Sequence, residues 1–159
     1  MQKLKGFTLI ELLVVVGLFA ILSSFALINL LKPQTKVSVD STTTTLISDI
    51  KEQQLKAMAG DTDGTSTSLS HGIYFQSNRY TLFRGTSYQP AENSNFTVNL
   101  DTNLTFSSIT FPSTQIVFTK RSGDITGFTA GSNSVTIRNV LSGEQKTITI
   151  NRYGVVTEN

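Results

Sequence analysis

Lys5-Gly6-Phe7-Thr8-Leu9-Ile10-Glu11-Leu12-Leu13-Val14-Val15 opens an apolar run that reaches Leu31, and no charged side chain stands between Glu11 and Lys32. Wound as a helix rising ~1.5 Å per residue, the run from Phe7 onward is long enough to cross a hydrocarbon core of ~30 Å. One carboxylate, Glu11, sits near its start. An isolated charge on a membrane helix costs about 2.5–3.5 kcal/mol on insertion scales, so Glu11 marks a functional position that needs a partner. Lys3 and Lys5 precede the run, which predicts a cytoplasmic N-terminus and an outward-facing remainder. A secretory signal would have a shorter apolar region and then a small-residue cleavage site. A cut near Ser23, Ser24 or Ala26 would leave Glu11 without a purpose.

Of the 159 residues, about 120 remain for a head beyond the membrane, enough for one hydrophobic core. With no cysteine, that core holds by packing alone, without disulfides or thiolate metal sites. The net charge of +2 and the pI near 9 invite a nucleic-acid reading. Removing Lys3 and Lys5 takes the thirteen basic residues to eleven, equal to the eleven acidic ones, so the basic balance belongs to the N-terminal segment. A net-neutral remainder offers no global attraction for DNA.

The segment from Lys5 to Val15 resembles the class III leader and mature start of type IV pilins and type II secretion pseudopilins. The resemblance implies that a prepilin peptidase cuts between Gly6 and Phe7 and that the new amine of Phe7 is methylated. It implies that the apolar segment is kept and that Glu11 pairs with the Phe7 ammonium of a neighbouring subunit. The implied partners are other pilin or pseudopilin subunits, and an inner-membrane assembly platform with a cytoplasmic ATPase. The chain itself has no Gly-rich phosphate loop with which to use nucleotide. A plain membrane anchor would leave the Gly6–Phe7 junction unexplained.

Beyond the run, Pro33 removes a backbone donor and predicts a kink or a restart of the helix. From Gln34 to Ala59, Leu46, Ile47, Ile50, Leu55 and Met58 recur near helical spacing with Asp49, Lys51, Glu52 and Lys56 between them, an amphipathic pattern. The threonines within Ser41–Thr45 are a weak point, because β-branched residues lose side-chain freedom in a helix. Gly60 is a helix stop, and 61–70 is a Gly/Ser/Thr-rich loop. Asp61-Thr62-Asp63-Gly64 has the composition of a calcium loop without its spacing, and no metal site is assigned.

From Gly72 the period becomes two. Gly72–Gln76 and Arg79–Phe83 predict a hairpin about Ser77-Asn78, and Phe96–Leu100, Leu104–Phe111 and Gln115–Thr119 predict further strands. Ser122-Gly123-Asp124 is a turn. Ser134–Val140 and Lys146–Asn151 predict a second hairpin about Leu141–Glu144. Gly154 serves a backbone need near the last strand, a bulge being the simplest case. The expected fold is α+β: a long N-terminal helix, its inner half transmembrane and its outer half amphipathic, packed on an antiparallel β-sheet head. The expected divisions are a cleaved leader at 1–6, a transmembrane assembly helix at 7–33, an amphipathic helix at 34–60 and a β-rich extracytoplasmic head at 61–159. His71-Gly72-Ile73-Tyr74-Phe75, Asn78–Phe83 and the ending Ile148–Val156 resemble the family joining H-type pseudopilins to certain minor pilins.

No residue constellation for catalysis is present: His71 is the single histidine, and no nucleophile-elbow motif accompanies the many serines. The chain is read as not an enzyme and as needing no cofactor. The expected function is a structural subunit, minor pilin or pseudopilin, of a type IV pilus or a type II secretion pseudopilus. It would wait as a single-pass protein of the cytoplasmic membrane and enter an extracytoplasmic filament. The alternative is a DNA- or surface-binding receptor, with Lys120, Arg121, Arg138, Lys146 and Arg152 on the last strands as the nucleic-acid contacts. An ordinary solvated sheet face fits the same count, and no interleaved aromatics mark a stacking platform.

Overall fold

The computed structural model describes residues 8–62 and 67–159, the side chains of 24–37 excepted. Two compact units divide the chain, Met1–Thr35 and Lys36–Asn159. A single helix, α1 (Leu9–Ala59), contributes to both. Its assignment passes Pro33 without interruption, so the expected restart is absent; a proline costs one backbone bond, which a long helix can absorb. The threonine-rich weak point also stays helical. There the hydroxyls bond back one turn, Thr44 to the Asp40 carbonyl at 2.9 Å, Thr45 to that of Ser41 at 3.0 Å and Ser48 to that of Thr44 at 2.9 Å.

Within the second unit, the buried face of α1 is Val39, Thr43, Leu46, Ile50, Gln53 and Ala57, alternating steps of four and three. Leu55 and Met58, expected on that face, point outward, and two polar residues replace them in the stripe. Helical angle set the face here, and local hydrophobicity misjudged it. The helix stops at Gly60, whose φ of 67° is open chiefly to glycine, and the Arg121 N–H caps the Ala57 carbonyl at 2.7 Å.

The expected single sheet is two antiparallel sheets. One has the order β3-β2-β1-β5, from β1 (His71–Gln76), β2 (Arg79–Arg84), β3 (Phe96–Asn99) and β5 (Gln115–Phe118). The other has the order β4-β6-β7-β8, from β4 (Leu104–Ile109), β6 (Ser134–Asn139), β7 (Gln145–Ile150) and β8 (Val156–Glu158). Both predicted hairpins are present, with Gln76 opposite Arg79 and Arg138 opposite Gln145. The strand predicted to reach Phe111 ends at Ile109, a short 3-10 turn follows at Pro112–Thr114, and β8 has too few residues to show a period. One continuous core joins α1 to both sheets: Leu46 and Ile50 from the helix, Ile73, Phe75 and Ile116 from one sheet, and Phe106, Ile137 and Ile148 from the other. Phe75 meets Phe106 edge-on across the sheets, with centroids 5.4 Å apart.

The strand irregularity lies in β4, between Phe106 and Ser108, and Gly154 is in the turn joining β7 to β8. Its φ is 76°, and a Cβ there would run into the Gln54 side-chain amide. That amide donates to the Gly123 carbonyl at 3.1 Å and the Tyr153 carbonyl at 2.8 Å, so one helix residue ties down two loops.

Candidate functional site

The first turn of α1 is built by two residues. Thr8 precedes the helix, and its carbonyl accepts the first helical bond from Leu12 N–H at 3.2 Å. Its hydroxyl accepts the Glu11 N–H at 3.3 Å, while Glu11 Oε2 takes the Thr8 N–H at 3.0 Å and the Thr8 hydroxyl at 2.9 Å. This is a reciprocal capping box, Thr-x-x-Glu, with the carboxylate at the positive end of the helix. Glu11 therefore has a partner within its own chain, its Oε2 taking both bonds from Thr8. Thr8 is the residue that sequence reasoning missed, and the three-residue spacing to Glu11 was its signal.

Below the cap the helix is apolar on every side. From Leu9 to Leu22 the large side chains are all exposed, Leu9 at 81% and Leu22 at 66%, so no described element covers them. A helix of this kind is normally buried in a core or in lipid. Among the described residues, no helix is long and apolar enough to cross a membrane. The side chains described at this end, 8–23, rise about 24 Å, short of the ~30 Å a hydrocarbon core requires. The rest of the expected span falls among side chains outside the described residues. Gly6 and Phe7, the expected cleavage and methylation residues, also lie outside the described residues, as does the Asp63-Gly64 part of the calcium-like loop.

The five basic residues divide between the two ends of the head. Arg121 caps the last turn of α1 and Lys120 is beside it; the Arg152 carbonyl accepts Ile125 N–H at 2.9 Å at the same end. Lys146 is at the other end, 2.7 Å from Asp40, and it also binds Glu158; Arg138 is exposed one residue along the paired strand. The carboxylates of Asp40 and then Glu158 beside it hold the Lys146 ammonium above its ordinary range. Lys146 is thus a clamp between helix and last strand, and its charge is largely spent on two carboxylates.

His71 opens β1 one residue before the predicted strand start at Gly72, opposite Arg84 and Phe118, and is 5% exposed. It borders a polar cleft of about 350 Å³ with Asp49, Glu52 and Lys56. Glu52 and Lys56 pair one helical turn apart at 2.7 Å, and Asp49 accepts the Tyr80 hydroxyl at 2.5 Å. Burial, and then the Asp49 carboxylate, push the Tyr80 hydroxyl well above the ordinary phenol range. Among the described residues, no group of acidic residues or histidine could hold a metal ion.

Residues 1–27 match the family model described as the prokaryotic N-terminal methylation motif. This is the leader motif of type IV pilins, and it supports the type IV pilin and pseudopilin superfamily for this chain. The match takes in Gly6, Phe7, Thr8 and Glu11 and ends within α1, before the head begins. No curated protein and no solved structure matches the chain.

Proposed function

We propose that the chain is a structural subunit, a minor pilin or pseudopilin, of a type IV pilus or a type II secretion pseudopilus. The observation that carries this reading is the methylation motif over residues 1–27. The uncovered apolar surface from Leu9 to Leu22 agrees with it, because such a surface needs lipid before assembly and neighbouring helices afterwards. Residues 7–33 are the membrane and assembly helix in this account, and the head faces outward.

The capping box refines the role of Glu11. Its carboxylate is held at the helix start by Thr8, where it can meet a charge from outside the chain. Cleavage after Gly6 creates that charge as the ammonium of Phe7, and a neighbouring subunit delivers it. A pair of this kind serves register more than stability, since both charges must leave water. The receptor alternative gains nothing from the basic residues, which are split between opposite ends of the head.

Processing and filament recovery in cells separate the two roles. Gly6→Ala is expected to leave the leader in place. Glu11→Val is expected to be cut normally and to stay out of filaments. Normal incorporation of the Glu11 variant would remove the pairing role.

A further inference from the structure

One sheet edge lies open beside the helix of the head, and we propose that an extended peptide segment carrying basic side chains adds to it as a further strand, along the seam between β3 and α1. Edge and seam both belong to the second unit, Lys36–Asn159.

Register decides which backbone groups the edge offers. β3 ends its sheet, and among the described residues it pairs only with β2. The Leu100 N–H donates to the Asn78 carbonyl at 2.9 Å. Alternation along an antiparallel pair then points the backbone groups of Val98 and Phe96 at β2, and those of Thr97 and Asn99 away from it. Thr97 and Asn99 are both exposed. Among the described residues, the other three sheet edges are blunted. Ile125 bridges to Phe118 along β5, the Phe106 N–H of β4 goes to the Ser77 carbonyl, and β8 is only three residues long and holds Glu158 against Lys146. Phe96-Thr97-Val98-Asn99 has no charge, proline or bulge, the devices that keep edge strands from pairing.

The seam supplies side-chain pockets. Two cavities stand in line along it, each with α1 on one side and β2 and β3 on the other. The first, about 210 Å³, lies between Ser41 and Thr45 of the helix and Val98 and Leu100 of the strand end. The second is the polar cleft of about 350 Å³, between Asp49 and Glu52 of the helix and Phe96. Side chains two residues apart on an added strand share one face, so alternate ones reach successive cavities while the backbone pairs with β3. From Ser41 to Lys56 the seam runs about 22 Å, the length of roughly seven extended residues. The occupant follows from charge. Asp49, Glu52, Asp61 and Asp101 line the two cavities against Lys56 and Arg84, and the acids stay in excess even with His71 counted as a cation. Lys56 is moreover paired with Glu52 at 2.7 Å. Such a seam favours lysine or arginine on the incoming segment over aspartate or glutamate.

The probe is a fluorescein-labelled peptide of about seven residues in which lysine and valine alternate, so that the lysines share one face. It is titrated with the full chain in neutral detergent and followed by fluorescence anisotropy, beside a glutamate-for-lysine peptide and the lysine peptide N-methylated at every residue. The expected result is saturable binding of the lysine peptide, about tenfold tighter than of the glutamate peptide at low salt, and lost on N-methylation. Thr97→Pro is expected to abolish binding with the head still folded, since it removes an N–H that β2 does not use. Glu52→Gln is expected to weaken binding several-fold. Equal binding of the N-methylated peptide overturns strand addition, and it carries that test even where the proline unfolds the head. Equal binding of the glutamate peptide overturns the basic occupant. Failure of the lysine peptide to bind overturns the proposal, and where it comes with self-association that Thr97→Pro abolishes, it assigns the edge to a second copy of the chain.

Discussion

Thr8 and Glu11 cap the helix start together, although the carboxylate alone stands out in the sequence. The carboxylate reads as a lone charge until its threonine is placed three residues earlier and the two exchange hydrogen bonds. Thr8→Ala is expected to keep peptidase processing while loosening the first turn by about 1 kcal/mol. Crosslinking between thiols placed at this end of neighbouring subunits measures it, as a lower yield at unchanged leader removal. Gly154 was legible as a backbone requirement, but its reason was not, because the Gln54 amide that crowds it comes from a helix a hundred residues earlier. Gly154→Ala is expected to destabilise the head by about 1–3 kcal/mol, through strain at positive φ and displacement of that amide, read as a lower melting temperature. Tyr80 carries a pH signature. Its folded-state ionisation lies above that of the unfolded chain, so its contribution is complete below the ordinary phenol range and fades as pH rises through and above it. Tyr80→Phe is expected to cost about 1–2 kcal/mol at neutral pH, by leaving Asp49 without its donor, and to flatten the alkaline loss of stability seen in melts from neutral to high pH.

At the scale of elements, α1 was legible in its existence and its stop but not in its buried face. Leu46 and Ile50 were correctly assigned inward, whereas Leu55 and Met58 are apolar residues on the outer side, and Thr43 and Gln53 are polar ones in the core stripe. The geometric sequence 39, 43, 46, 50, 53, 57 fixes the stripe once any two members are known to be buried, but hydrophobicity alone cannot choose among neighbouring faces. Thermal melts of two variants distinguish the faces. Ile50→Ala is expected to cost about 2–4 kcal/mol from cavity formation, whereas Leu55→Ala stays within about 0.5 kcal/mol of the parent. The hairpins were legible for a different reason: alternation and polar turns are local signals, which is why the turns at Ser77-Asn78 and Leu141–Glu144 stand where predicted. The division of strands into two sheets was not, since it depends on which non-neighbouring strands pair, β1 with β5 and β4 with β6.

For the molecule as a whole, two units match the two tasks in this account. The first offers an apolar helix surface with a capped carboxylate at its tip, and the second is a core of one helix face and two sheets. Lys146 joins Asp40 to Glu158 within the second unit, binding the start of its helix to the last strand. The central claim concerns the junction between Gly6 and Phe7, where a cationic address ends and the assembly helix begins. It is tested most directly by the N-terminal residue and intact mass of the chain isolated from cells. The account predicts a protein that starts at Phe7 and carries one added methyl group on its amine. A chain that still begins at Met1, or one cut beyond Ser23 so that the apolar helix is lost, would contradict it.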